Sequence, residues 1–204
     1  MKALTLSILI LFCMTSYAQD ITLPAPQKTG GKPLMDVLAA RKSNREYSEK
    51  ELSLQQLSNL LWAASGINRE DGRRTAPTAR NNQQIDIYVY TAKAVYLYNH
   101  VNHNLKHVKT GDFRAETASN DFAQTAPLLL LYVARYDKMP NMPRESQDIY
   151  GATDCGNISQ NVYLFCASEG LHTVAVGNIY RDKIQALLGF DGKAILGQPV
   201  GLPK

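Results

Sequence analysis

Across 204 residues the chain carries 22 Lys and Arg against 18 Asp and Glu, a formal charge of +4. So mild an excess, without an aromatic and basic repeat, excludes the cationic stripe that a nucleic-acid partner requires. The length suits one domain with one sizeable core, and no internal repeat or low-complexity tract divides it.

Met1-Lys2, the apolar stretch Ala3 to Met14 and the exit Ser16-Tyr17-Ala18 have the order of a secretory leader cleaved after Ala18. The apolar stretch is shorter than the roughly 20 residues that span a bilayer, so no stable membrane span is expected after cleavage. Cys13 follows Phe12 rather than a small residue, which argues against a lipoprotein. The expected product is therefore exported, periplasmic or extracellular. Residues 19–32, with Pro24, Pro26, Gly30 and Gly31, read as an irregular arm leading into a domain over 33–204.

Pro33 suits a first helical position, and Leu34, Val37 and Leu38 mark one face of the helix after it. Next comes Arg41-Lys42-Ser43-Asn44-Arg45. In extended backbone its alternate positions turn two guanidinium groups and a hydroxyl to one side, an arrangement suited to phosphate. Ser53 and Gln56 form a capping box, and Leu54, Leu57, Leu60, Leu61 and Ala64 build an apolar stripe closed by Gly66. Arg73, Arg74 and Arg80 read as solvated surface, or as groups meeting an acidic substrate or a phosphate.

Residues 85–90 and 95–98 read as a hairpin, and Leu128 to Val133 as a central strand buried on both faces. His100, His103 and His107 would share a face if that segment were helical, but no acidic or cysteine ligand stands with them and no metal site is expected. A long helix over 148–169 ends at Gly170, a strand follows over 173–176, a short helix over 183–188 and a last strand over 194–196. Cys155 and Cys166 lie about 16 Å apart along the long helix, too far for a disulfide, and read as buried thiols. The same helix carries Asp154, Gly156, Asn157, Gln160 and Asn161 where a core helix prefers Leu or Ala. Gly156 there suggests close approach of a ligand or of a second copy. Helices and strands in this order give an α+β class. Dinucleotide, phosphate-loop, hydrolase-elbow and zinc-protease signatures are absent.

Three ordered segments carry a family resemblance: Arg41 to Arg45, the loop Pro77-Thr78-Ala79-Arg80-Asn81-Asn82-Gln83, and Asp154 to Val176. Together they resemble the nitroreductase family, closest in length and loop sequence to its SagB-type branch. The resemblance implies a mixed, mostly antiparallel sheet flanked by helices, and a homodimer with two shared FMN sites. It places Arg41, Lys42 and Ser43 at the phosphate and ribityl chain and Arg45 near the ring's N1. It assigns Pro77, Thr78, Ala79, Asn81 and Gln83 to the flavin of the other subunit. Val176, Gly177 and Asn178 fall at N5, although some members have Glu-Gly where this chain has Gly177-Asn178, and Lys204 matches a phosphate-binding position. His172 reads as a structural histidine or a proton donor. The implied activity is hydride transfer through flavin N5 in two half reactions on a small-molecule or peptide substrate. The catalytic residues stay open. NAD(P)H is the family's donor but is scarce outside the cytoplasm, so the donor stays open too. The alternative is a secreted flavin- or peptide-binding module without turnover.

Overall fold

The computed structural model describes residues 19–204. The leader expected over residues 1–18 lies outside the described residues. Seven strands, β1 (Ile21–Thr22), β2 (Ile85–Tyr90), β3 (Ala94–Asn99), β4 (Asn104–Thr110), β5 (Leu128–Arg135), β6 (His172–Thr173) and β7 (Gly192–Gly201), form one sheet in the order β1-β4-β3-β2-β5-β7-β6. The helices are α1 (Leu34–Ala40), α2 (Leu54–Ser65), α3 (Arg114–Thr117), α4 (Asp121–Thr125), α5 (Arg144–Glu169) and α6 (Arg181–Leu188).

The α+β class and the mostly antiparallel sheet flanked by helices are as expected; every ladder among the described residues is antiparallel, so only the parallel pairing of a mixed sheet is missing there. β6 and β5 do run the same way. Because β7 inserts between them and opposes both, they form no parallel ladder with each other.

β5 is the centre of the core, buried from Leu128 to Ala134. Its two faces alternate as a pleated strand requires. Leu128, Leu130, Tyr132 and Ala134 pack toward α2 and α5, with Leu60, Leu61, Ile158 and Val162. Leu129, Leu131 and Val133 pack the other way, with Tyr88, Val176, Ile179 and Ile184. Each fully buried leucine contributes about 1.5–3 kcal/mol. α2 starts at the expected capping box, Ser53 accepting from the Gln56 N–H while Gln56 accepts from the Ser53 N–H.

α5 begins at Arg144, a turn earlier than read from sequence, and ends at Gly170, whose φ of 69° supplies the left-handed cap. At Gly151 a Cβ would stand 2.7 Å from the Ala134 Cβ, so the missing side chain lets helix and sheet close together. Gly156 is different. A Cβ there meets nothing within 4 Å, so its close approach, if any, belongs to something beyond the protomer. Cys155 and Cys166 lie on α5 as buried free thiols, and burial pushes the Cys155 thiol up to about 12. Among the described residues no helix is long and apolar enough to cross a membrane.

Two expectations change at the sheet edge. His100, His103 and His107 occupy the β3–β4 turn and β4, not a helix, so they share no helical face, and no metal-holding cluster occurs among the described residues. The arm over 19–32 is also more ordered than expected: Ile21 and Thr22 pair with β4, and Leu23 is buried.

Ser58 ties these parts together. Its hydroxyl donates to the Pro24 carbonyl at 2.6 Å and therefore accepts from His103 Nε2 at 2.7 Å, which leaves His103 Nδ1 to accept from the Tyr98 hydroxyl at 2.9 Å. Arg74 likewise donates to Nε2 of a neutral His100 at 2.5 Å.

Burial, and for His100 also the neighbouring Arg74 charge, lowers both imidazoles, His100 to about 4. The unfolded chain takes up these protons near pH 6.5 while the folded chain resists them, so stability is complete above about 6.5 and declines as the pH falls toward 4. Urea midpoints measured across that range should fall. In a His100→Gln, His103→Gln double variant the fall should flatten.

Candidate functional site

The basic run follows α1 and lies beside the sheet edge. The Asn44 N–H donates to the Thr173 carbonyl and the Ser48 N–H to the Leu202 carbonyl, each at 2.9 Å, while His172 Nδ1 donates to the Glu46 carbonyl at 2.7 Å. His172 is thereby held in a structural contact. Tyr47 is buried and its hydroxyl donates to the Asn44 carbonyl, which stiffens the strip from within.

Arg41 and Ser43 meet at one residue, Tyr163 of α5. The Arg41 guanidinium stands 5.1 Å from its ring centroid, and Ser43 Oγ lies 3.1 Å from its hydroxyl oxygen. That oxygen also accepts from the Ala175 N–H at 2.8 Å. When Tyr163 donates to Ser43, the serine hydroxyl hydrogen is left free for an anion. Arg45 leans on Phe122 of α4 at 5.9 Å, and Lys42 is exposed. Neither Arg41 nor Arg45 forms an ion pair among the described residues.

Beyond Ala175, Val176 exchanges both backbone hydrogen bonds with Gly197, at 2.7 and 2.9 Å. A main-chain donor from this segment must therefore come from Gly177 or Asn178, which are exposed and whose N–H groups have no partner among the described residues. Lys204 is exposed, two residues past the Leu202 contact with the basic strip.

The loop Pro77 to Gln83 is built separately. Arg80, Asn81 and Gln83 sit at φ of 54°, 56° and 50°, the left-handed region that costs a non-glycine residue about 1–2 kcal/mol. Such strain persists only where neighbours over-determine it. Here Thr78 Oγ1 accepts from the Gln83 N–H, Gln83 Nε2 donates to the Gly72 carbonyl, and Asn157 Nδ2 donates to the Pro77 carbonyl. The deepest anchor is Asp154, 3% exposed, whose Oδ2 accepts from the Ala79 N–H at 2.9 Å and from the Gln84 side-chain amide.

The site residues therefore fall into two stations on α5. Tyr163 gathers the basic run and the 172–178 segment, and Asp154 gathers the 77–83 loop. Nine helical residues separate these anchors, about 13 Å along the axis and half a turn around it. The two anchors leave α5 on opposite flanks of the helix.

The nitroreductase family model matches residues 38–202. The chain belongs to the nitroreductase family. A Methanocaldococcus jannaschii protein named as a nitroreductase is 33% identical over 178 residues, covering 82% of this chain and 90% of that one. A nitroreductase crystal structure from Ralstonia eutropha has a TM-score of 0.87 and 39% identity, covering 92% of this chain and 90% of that one. One from Anabaena variabilis, at 20% identity and a TM-score of 0.76, covers 91% of this chain and 42% of that one and shares the fold.

In this member of the family, sequence reasoning missed the parts played by Tyr163 and Asp154. A tyrosine among apolar helix positions reads as core, and nothing along the chain shows that its hydroxyl bridges Ser43 to Ala175. Replacing Tyr163 with Phe keeps the ring under Arg41 and removes that bridge. Two hydrogen bonds are lost, about 1 kcal/mol each, so thermal unfolding should drop by a few degrees.

Proposed function

We propose that this nitroreductase is an exported, FMN-dependent oxidoreductase acting as a homodimer with two shared flavin sites. The observation that carries this reading is the separation of the two stations on α5. Each holds residues suited to part of one flavin, and a second protomer is what would bring them together.

The residues present fit the group. Arg41, Ser43 and Lys204 would hold its phosphate and Arg45 the N1 side. Gly177 or Asn178 would offer a main-chain donor, and Asn81 and Gln83 would reach in from the partner. FMN, when bound, supplies hydride chemistry, while the chain supplies orientation and charge. Exposed Leu34, Met35 and Leu38 on α1 and Ile149 on α5 support a covered face. Gly156, open within the protomer, suits the same face.

Export rests on the leader-like residues 1–18 and makes a quinone or protein donor a better fit than NAD(P)H. The substrate is a small molecule or a peptide. The test is a visible absorbance spectrum of the native protein, its mass in solution, and anaerobic titration with candidate donors. A yellow dimer that cycles between donor and acceptor is expected. Colourless protein that takes up no FMN overturns the assignment, and retained flavin that no donor reduces leaves a binding module instead. Intact mass of protein recovered outside the cytoplasm tests cleavage after Ala18.

A further inference from the structure

Beside the 77–83 loop lies a cavity of about 410 Å³ whose polar lining is Arg69, Arg73, Arg74, Thr78, Arg80 and Asn81. No acidic side chain among the described residues lines it. Four guanidinium groups around one space repel each other unless an anion joins them.

The deepest of them is the most telling. Arg74 is 6% exposed, donates to His100 and, at 3.4 Å, to Ser65, and its buried Nε has no hydrogen-bond partner among the described residues. Asp86, the carboxylate that acts on Arg74 through space, is already paired with Arg135 and Lys138. Without a carboxylate of its own, burial lowers the Arg74 guanidinium to about 10. Among the described residues Arg73 pairs only with exposed Asp71, a contact worth little. Arg80 forms no ion pair among the described residues and is held beside the cavity by the strained loop.

We propose that this cavity is an oxyanion subsite, receiving the phosphoryl or carboxylate group of the molecule brought to the loop. Planar guanidinium forks match both groups in paired hydrogen bonds, and several of them select a compact polyanion over a single charge. That the bound molecule is a reaction partner rests on the proposed flavin chemistry. Anion binding itself does not.

The test is calorimetric titration of the full-length protein, as isolated, with inorganic pyrophosphate and with citrate. Arg69→Gln and Arg80→Gln alter exposed side chains and leave the core untouched, and Lys106→Gln on β4 is the control. Saturable binding is expected, weakened about tenfold by each arginine change and unaffected by the control, with the flavin absorbance of every variant unchanged. The tighter of the two probes identifies phosphoryl or carboxylate as the preferred group.

No saturable binding of either probe overturns the proposal. So does binding that Arg41→Ala removes and Arg80→Gln leaves intact, because the anion would then occupy the basic run. A colourless protein that still binds pyrophosphate through Arg80 sinks the flavin assignment alone, whereas a yellow protein that binds neither probe sinks this one alone.

Discussion

Protein carrying both Arg41→Ala and Arg45→Ala should emerge from purification without FMN and fold as well as before. In the structure Arg41 touches the Tyr163 ring and Arg45 the Phe122 ring, and neither pairs with a carboxylate among the described residues. Exposed cation and ring contacts of this kind are worth about 0.5–1 kcal/mol each, so unfolding temperatures of the flavin-free proteins should agree within a few degrees. A charge-assisted hydrogen bond to an anion is worth about 1.5–3 kcal/mol, so losing two should weaken FMN binding by two to four orders of magnitude, roughly. Quenching of FMN fluorescence during titration measures this directly. The wild-type affinity should also fall as salt is raised, since the attraction is between charges. A double variant that binds FMN as tightly as the parent would remove the basic run from the cofactor site.

What sequence made legible follows from which signals are local. The capping box at Ser53 and Gln56, the continuous apolar run of β5 and the Gly170 cap each sit within a few neighbouring residues, and each appears where expected. β4 was not legible. Only Leu105 of its seven residues is buried, so Asn104 to Thr110 lacks the alternation that marks a strand, and its histidine spacing imitated a helix. The short helices α3 and α4 are single turns whose place is fixed by long-range contacts, such as the Tyr180 N–H donating to the Thr117 carbonyl. At the site, residue types were readable and partners were not. Arginine pairs in a loop normally read as solvated charge, and only the fold reveals that Arg74 turns inward against His100. The Val176 N–H pairs with Gly197, a residue 21 positions away that no local pattern connects to it.

Asp154→Ala should be among the most destabilising single changes in the domain, and Asp154→Asn should largely rescue it. The carboxylate is buried, and its Oδ2 alone accepts from both the Ala79 N–H and the Gln84 amide. Alanine leaves both donors without a partner, at a cost of about 3 kcal/mol or more. For a domain of this size that lowers the unfolding temperature by roughly 6–12 °C. Asparagine, oriented with its oxygen in the Oδ2 place, accepts from both donors again. Its nitrogen takes the place of Oδ1, which accepts no hydrogen bond within the described residues. Only the charge assistance is lost, about 1 kcal/mol. Hydrogen exchange separates a local effect from a global one. If Asp154 is the anchor that maintains the left-handed turns at Arg80, Asn81 and Gln83, the alanine variant should expose amides of the 77–83 loop before those of β5. The same loosening should weaken whatever the loop grips while leaving the Arg41 station intact, because that station hangs from Tyr163, half a turn away on α5. Equal protection of the loop in parent and alanine variant would mean that the strained turns hold themselves, and Asp154 would no longer count as their anchor.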